Sequence, residues 1–151
     1  MLGLKVSLFD VSDVSNPVET AFYELEEKYV RSIAEFEHKA FLFSKSKELL
    51  VVPGSYGAKT LADTYNGALV FNIKKDSITL KGIVNHMIQP TDNFFKRFVE
   101  RSLYIENLLY TKSSCLMKIN IIEDLTDLRN IDLCSPNIPV ITQLTGQGTS
   151  G

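Results

Sequence analysis

His38, His86, Cys115 and Cys134 are the only imidazoles and thiols in a chain of 151 residues. A metal site needs such side chains gathered in one coordination shell. A cysteine nucleophile needs a base beside it. Asp10, Asp13 and Asn16 follow at a spacing of three, but calcium loops place oxygen ligands at alternate positions around a sharp glycine turn. An Asx-type turn closing a hairpin is the expected role of these three. A further polar group, Ser55, Tyr56, Lys59, Asp63 and Tyr65, falls in one loop-like segment, residues 54–66. Tyr56, Lys59, Asp63 and Tyr65 are therefore the candidates for a ligand or interface loop. No nucleophile–base pair, glycine-rich phosphate loop or metal-spaced cluster is recognisable. No catalytic residue and no cofactor is assigned.

What must position these residues is a succession of short strands. Aromatic and β-branched residues cluster in runs of about five to eight, bounded by Asn, Asp, Gly, Ser and Lys. Residues 4–11 and 18–25 form one hairpin about 13–17. Residues 39–44 and 49–53 form a second, and 67–73 with 78–84 a third about Lys74, Lys75, Asp76 and Ser77. Residues 101–105 and 108–112 turn tightly at Glu106 and Asn107. Residues 115–121 and 128–133 make the last hairpin. One connection carries Tyr29, Val30, Ile33 and Phe36 at spacings of three or four, a short helix near 27–36 or an ordered loop, and another short helix is expected near 92–99. Phe94, Phe95 and Phe98 are expected to anchor the second.

The strands repeat. Ser7-Leu8-Phe9-Asp10-Val11, Leu69-Val70-Phe71-Asn72-Ile73 and Met117-Lys118-Ile119-Asn120-Ile121 share an apolar strand ending in Asp or Asn and then Val or Ile. A polar turn and another strand follow each. The period, roughly 50 to 60 residues, approaches the roughly 40 to 50 of a propeller blade. The fold class is mostly β: an antiparallel β-propeller fragment of about two and a half blades. The divisions are a half blade at 3–25, a blade at 38–85, a blade at 100–134 and a C-terminal extension at 135–151.

Propeller geometry then places the candidates. Strand A begins and strand D ends on one face of the disc, so His38 and His86 share that face. They stand three strand spacings apart, or about 14 Å at about 4.8 Å each. His38 is left as a weak metal candidate, and each imidazole is expected to bond a backbone group at its strand end. In the last hairpin, a register with Ile121 facing Leu128 sets Cys115 opposite Cys134, within reach of a disulfide. That pair oxidises outside the cytoplasm and stays as two free thiols in a reducing cytosol.

Composition narrows the partners. Hydrophobic residues are 44% and charged residues 23%, with a formal net charge of -2 and a pI near 5.7. This is a globular mixture with no basic footprint for nucleic acid. No apolar run approaches the roughly 20 residues of a membrane helix. Two and a half blades do not close a ring, and open blade faces invite association. The expected partner is protein: copies of this chain, as a homo-oligomer, or the missing blades of a longer chain.

Residues 3–13 (GLKVSLFDVSD) with Asn16 and Pro17 resemble a stretch of the archaeal and bacterial secreted proteins with a C-terminal β-propeller domain. Residues 37–43 (EHKAFLF), 67–73 (GALVFNI), 82–86 (GIVNH), 101–105 (RSLYI) and 109–111 (LYT) extend the likeness from Gly3 to Leu133. The resemblance implies the C-terminal blades of that propeller and an extracytoplasmic setting. It brings no catalytic residues. Without a signal peptide the chain is cytoplasmic if it is a complete gene product. The functional expectation is a non-enzymatic interaction or surface-structural module, with an extracellular hydrolase-like enzyme as the alternative.

Overall fold

The computed structural model describes residues 3–25, 30–56, 64–89 and 92–134. Three antiparallel sheets follow one another along the chain. The first is a hairpin of β1 (Lys5–Asp10) and β2 (Val18–Glu24). The second is a meander of β3 (Leu42–Ser44), β4 (Leu49–Tyr56), β5 (Tyr65–Lys74) and β6 (Ser77–Asn85). The third is a meander of β7 (Val99–Ile105), β8 (Leu108–Ser113), β9 (Leu116–Ile121) and β10 (Asp127–Asp132). The recurring apolar-Asn-Ile segments occupy β5 and β9, the third strand of each four-stranded sheet.

Polar turns set the strand ends. Asp10 and Asp13 accept from the N–H groups of Ser12 (2.8 Å) and Ser15 (3.0 Å), closing the β1–β2 turn with Asx geometry. The β5–β6 and β7–β8 connections are two residues long, joining Lys74 to Ser77 and Ile105 to Leu108.

The middle sheet is covered on both faces, which explains why β5 reads as a nearly unbroken apolar run. On one face Leu69, Phe71 and Ile73 pack with Val6, Leu8, Ala21 and Tyr23 of the hairpin. The Tyr23 and Phe71 rings meet edge-to-face at 5.3 Å. On the other face Val51, Ala68, Val70 and Val84 pack against Val99, Tyr104, Leu109 and Ile122 of the third sheet and its turn. The chain thus stacks hairpin, sheet and sheet, each face closing on the next.

Both helical expectations shrink to 3-10 turns. Ile33–Glu35 is capped by the Ser32 hydroxyl, which accepts from Ala34 N–H. Residues 26–29 lie outside the described residues. Phe94–Arg97 is one turn, capped by the Asn93 side chain. Neither segment buries a continuous apolar stripe, so tertiary packing does not extend it. The strand expected from residue 39 begins at Leu42, because the Glu37 carboxylate caps a further 3-10 turn at His38–Ala40. Phe94 and Phe98 are half-buried, with their rings 5.2 Å apart. Phe95 is 77% exposed and anchors nothing.

Candidate functional site

Strand direction gathers the candidate residues at one end of the sheets. β4 ends and β5 begins there, β6 leads to His86, and β8 ends at Ser113. Tyr56 and Tyr65 are cross-strand partners with ring centroids 5.8 Å apart. Lys59 and Asp63, the charged half of the proposed loop set, lie outside the described residues. His38 stands exposed in its 3-10 turn. Among the described residues no group of three or more His, Cys, Asp or Glu side chains could hold a metal ion.

His86 has a different environment. It is fully buried between the second and third sheets. Its backbone N–H donates to Asn66 O at 2.8 Å, continuing the β5–β6 ladder by one rung. The expected local bond to a backbone group is not what holds its ring. Nδ1 lies 3.0 Å from Ser113 Oγ and Nε2 lies 2.8 Å from Thr111 Oγ1. Thr111 and Ser113 alternate along β8, so both hydroxyls point to the same face. Their sequence signal is a pair of hydroxyl residues two apart on a strand whose other inward position, Leu109, is apolar. Nothing in the sequence says which side chain meets them.

Burial pushes the His86 pKa down to about 3, and the positive charges of Lys118 and Arg97 push the same way. The imidazole is therefore neutral, with one ring nitrogen donating and the other accepting. Lys118, itself buried, donates to Asn85 O at 3.3 Å and pairs with Asp127 at 2.7 Å. Ser113 Oγ also bonds the backbone of Leu116. A serine and a histidine at 3.0 Å are the parts of a hydrolytic dyad. Here both are 0% exposed, so no substrate reaches the hydroxyl. The arrangement ties one sheet to the next.

Cys115 and Cys134 form a disulfide with a Cα–Cα distance of 4.9 Å. The pairing register differs by one residue from the simple one. Asp132 faces Leu116, and Leu133 N–H donates to Cys115 O at 2.9 Å. An irregularity between Asp127 and Arg129 takes up Leu128 and shifts the strand. The bond then runs diagonally and still falls within the Cα range that a disulfide spans.

Four-stranded antiparallel meanders stacked face to face, each running edge to edge in chain order, define the blades of a β-propeller. The chain belongs to the beta propeller domain family, whose model matches residues 1–125. It is 32% identical over 116 residues to the uncharacterized protein MJ1554 of Methanocaldococcus jannaschii. That match covers 77% of this chain and 15% of the relative's length. No solved structure matches it. Among the described residues no helix is long and apolar enough to cross a membrane.

Proposed function

We propose that the chain is a non-enzymatic interaction or structural module of a β-propeller, and that further blades cover its open faces. Copies of the chain itself supply those blades. The observation that supports this is the outer face of the third sheet. Leu103, Tyr110 and Ile119 are consecutive cross-strand neighbours, and Met117 faces Ile131 beside them. Leu103 is 49% exposed and Ile105 57%. The equivalent face of the middle sheet is buried by a neighbouring sheet. A single-chain surface rarely leaves such a continuous apolar row in water.

The hairpin's outer face has the same character on a smaller scale. Phe22 is 56% exposed, with Lys5 Nζ 4.6 Å above its ring. The disulfide supports an extracytoplasmic setting, where such bonds persist. Sedimentation velocity over a concentration series tests the association. Oligomers that grow with concentration support it, and a folded monomer throughout overturns it.

A further inference from the structure

The two open faces lie at opposite ends of the stack and carry different residues. The hairpin covers one face of the middle sheet and the third sheet covers the other, and the outer faces of both meet no other described sheet. On the third sheet the apolar rows carry cations. Arg101 faces Lys112, which faces Met117, and Arg129 continues the row of Tyr110 and Ile119. Lys112 is paired with Glu100 at 2.9 Å, and Arg101 lies 4.0 Å from Glu37. Arg129 has no ion-pair partner among the described residues. On the hairpin the balance reverses. Lys5 lies above the Phe22 ring, faces Glu24 and is paired with Glu19 at 3.0 Å. Two carboxylates share that face with one cation, and Glu24 has no ion-pair partner among the described residues.

We propose that a second copy of the chain docks head to tail, the hairpin's outer face of one against the third sheet's outer face of the other, and that two copies close a ring. The proposal rests on the association described above and names its two surfaces. The joint continues the stacking already present within the chain, where the hairpin lies on the middle sheet with the Tyr23 and Phe71 rings in contact. It sets Phe22 among Leu103, Tyr110 and Ile119, and the carboxylate-rich face against the cation-rich one. Third sheet against third sheet would bring Arg101, Lys112 and Arg129 of one copy onto the same three of the other, and like charges face to face are costly. Such a heterologous joint gives a ring where the rotation closes and a filament where it does not. Each copy brings three blade positions, the hairpin's half filled. Two copies bring six and three bring nine, whereas propellers close with about four to eight blades. Two is the number of copies that closes.

Two variants, each blocking one face, test this by sedimentation velocity. Leu103→Glu with Ile131→Glu makes the third sheet's face acidic. Phe22→Lys with Glu24→Lys makes the hairpin's face basic. The wild type saturates at twice the 17.0 kDa of the chain. Each variant alone is a monomer, because like charges meet at the joint it would make with itself. Mixed, the two form a one-to-one complex, since the hairpin of the first and the third sheet of the second are both intact. Far-UV circular dichroism checks that each variant keeps its fold. Glu24→Lys alone, at an exposed position, weakens the dimer about twofold to fivefold, the worth of an exposed ion pair. A hairpin-face variant that still dimerises, a mixture without a complex, or a wild type that grows past the dimer overturns the head-to-tail ring. A wild type that stays monomeric at every concentration overturns the association itself, and the ring with it.

Discussion

His86 Nε2 lies 2.8 Å from Thr111 Oγ1, at the point where the second blade is packed against the third. The residues are 25 apart in sequence, and the contact joins the end of one sheet to the second strand of the next. A neutral imidazole completes this junction, and a charged one would face Lys118 and Arg97 in a dry interior.

Stability should therefore depend on pH through His86. Its folded pKa, about 3, is below the ordinary 6.5. Between these values the unfolded chain binds the proton and the folded chain does not. The stabilisation is full above about pH 6.5 and is lost as pH falls toward 3, with a slope of up to about 1.4 kcal/mol per pH unit. Urea midpoints between pH 5.5 and 6.5 measure this about one unit above the ordinary 4.5 of carboxylates such as Glu100. His86→Gln is less stable at neutral pH, and its midpoint is flat across the window. A wild-type midpoint that does not move contradicts the neutral, buried assignment.

How much of this the sequence carried differs by level. Alternation and turn residues located the strands, because a half-buried strand writes its two faces into successive residues. The segments Leu69-Val70-Phe71-Asn72-Ile73 and Met117-Lys118-Ile119-Asn120-Ile121 fall on the third strand of each four-stranded sheet. The last hairpin's register differs because pairing begins two residues off, at Asn120 with Asp127, and the irregularity at Leu128 recovers only one of them, neither of which leaves a mark in the residue types. Phe95 looked like an anchor from its hydrophobicity, yet a one-turn 3-10 segment has no second turn to bury it. The His86 junction was illegible, since it unites residues from separate blades. Only sheet stacking brings His86 to Thr111 and Ser113.

The disulfide joins residues 19 apart and closes a loop over β9, its turn and β10. By the loop-entropy account its removal costs about 3 kcal/mol. Replacing Cys115 and Cys134 together by Ser should lower the thermal midpoint, and reductant should lower the wild type by a similar amount. A reductant-insensitive wild type would show that the bond is not formed in solution.

Phe71 is fully buried in the middle sheet and meets Tyr23 of the hairpin. Phe71→Ala removes a large ring from a site closed on every side and should cost about 3–5 kcal/mol. Urea unfolding measures it. A loss below about 1 kcal/mol would mean that the hairpin does not pack on this sheet.

Gly67 sits where β5 and β6 approach closely, and a Cβ there would run into the Val84 carbonyl. Backbone cannot give way as a side chain can. Gly67→Ala should destabilise by about 1–3 kcal/mol, the range for overpacking. Ala at a neutral strand position would normally stabilise relative to Gly, so even the sign of the change, read from the urea midpoint, tests the close approach.

The uncovered face of the third sheet is the central claim. Sedimentation velocity on the wild-type chain and on Leu103→Glu combined with Ile131→Glu tests it directly. Both positions are exposed, at 49% and 38%, so the charges do not disturb the fold of a single chain. The expected result is concentration-dependent association of the wild type and a folded monomer for the variant. Identical sedimentation of the two, as stable monomers at every concentration, would contradict the account.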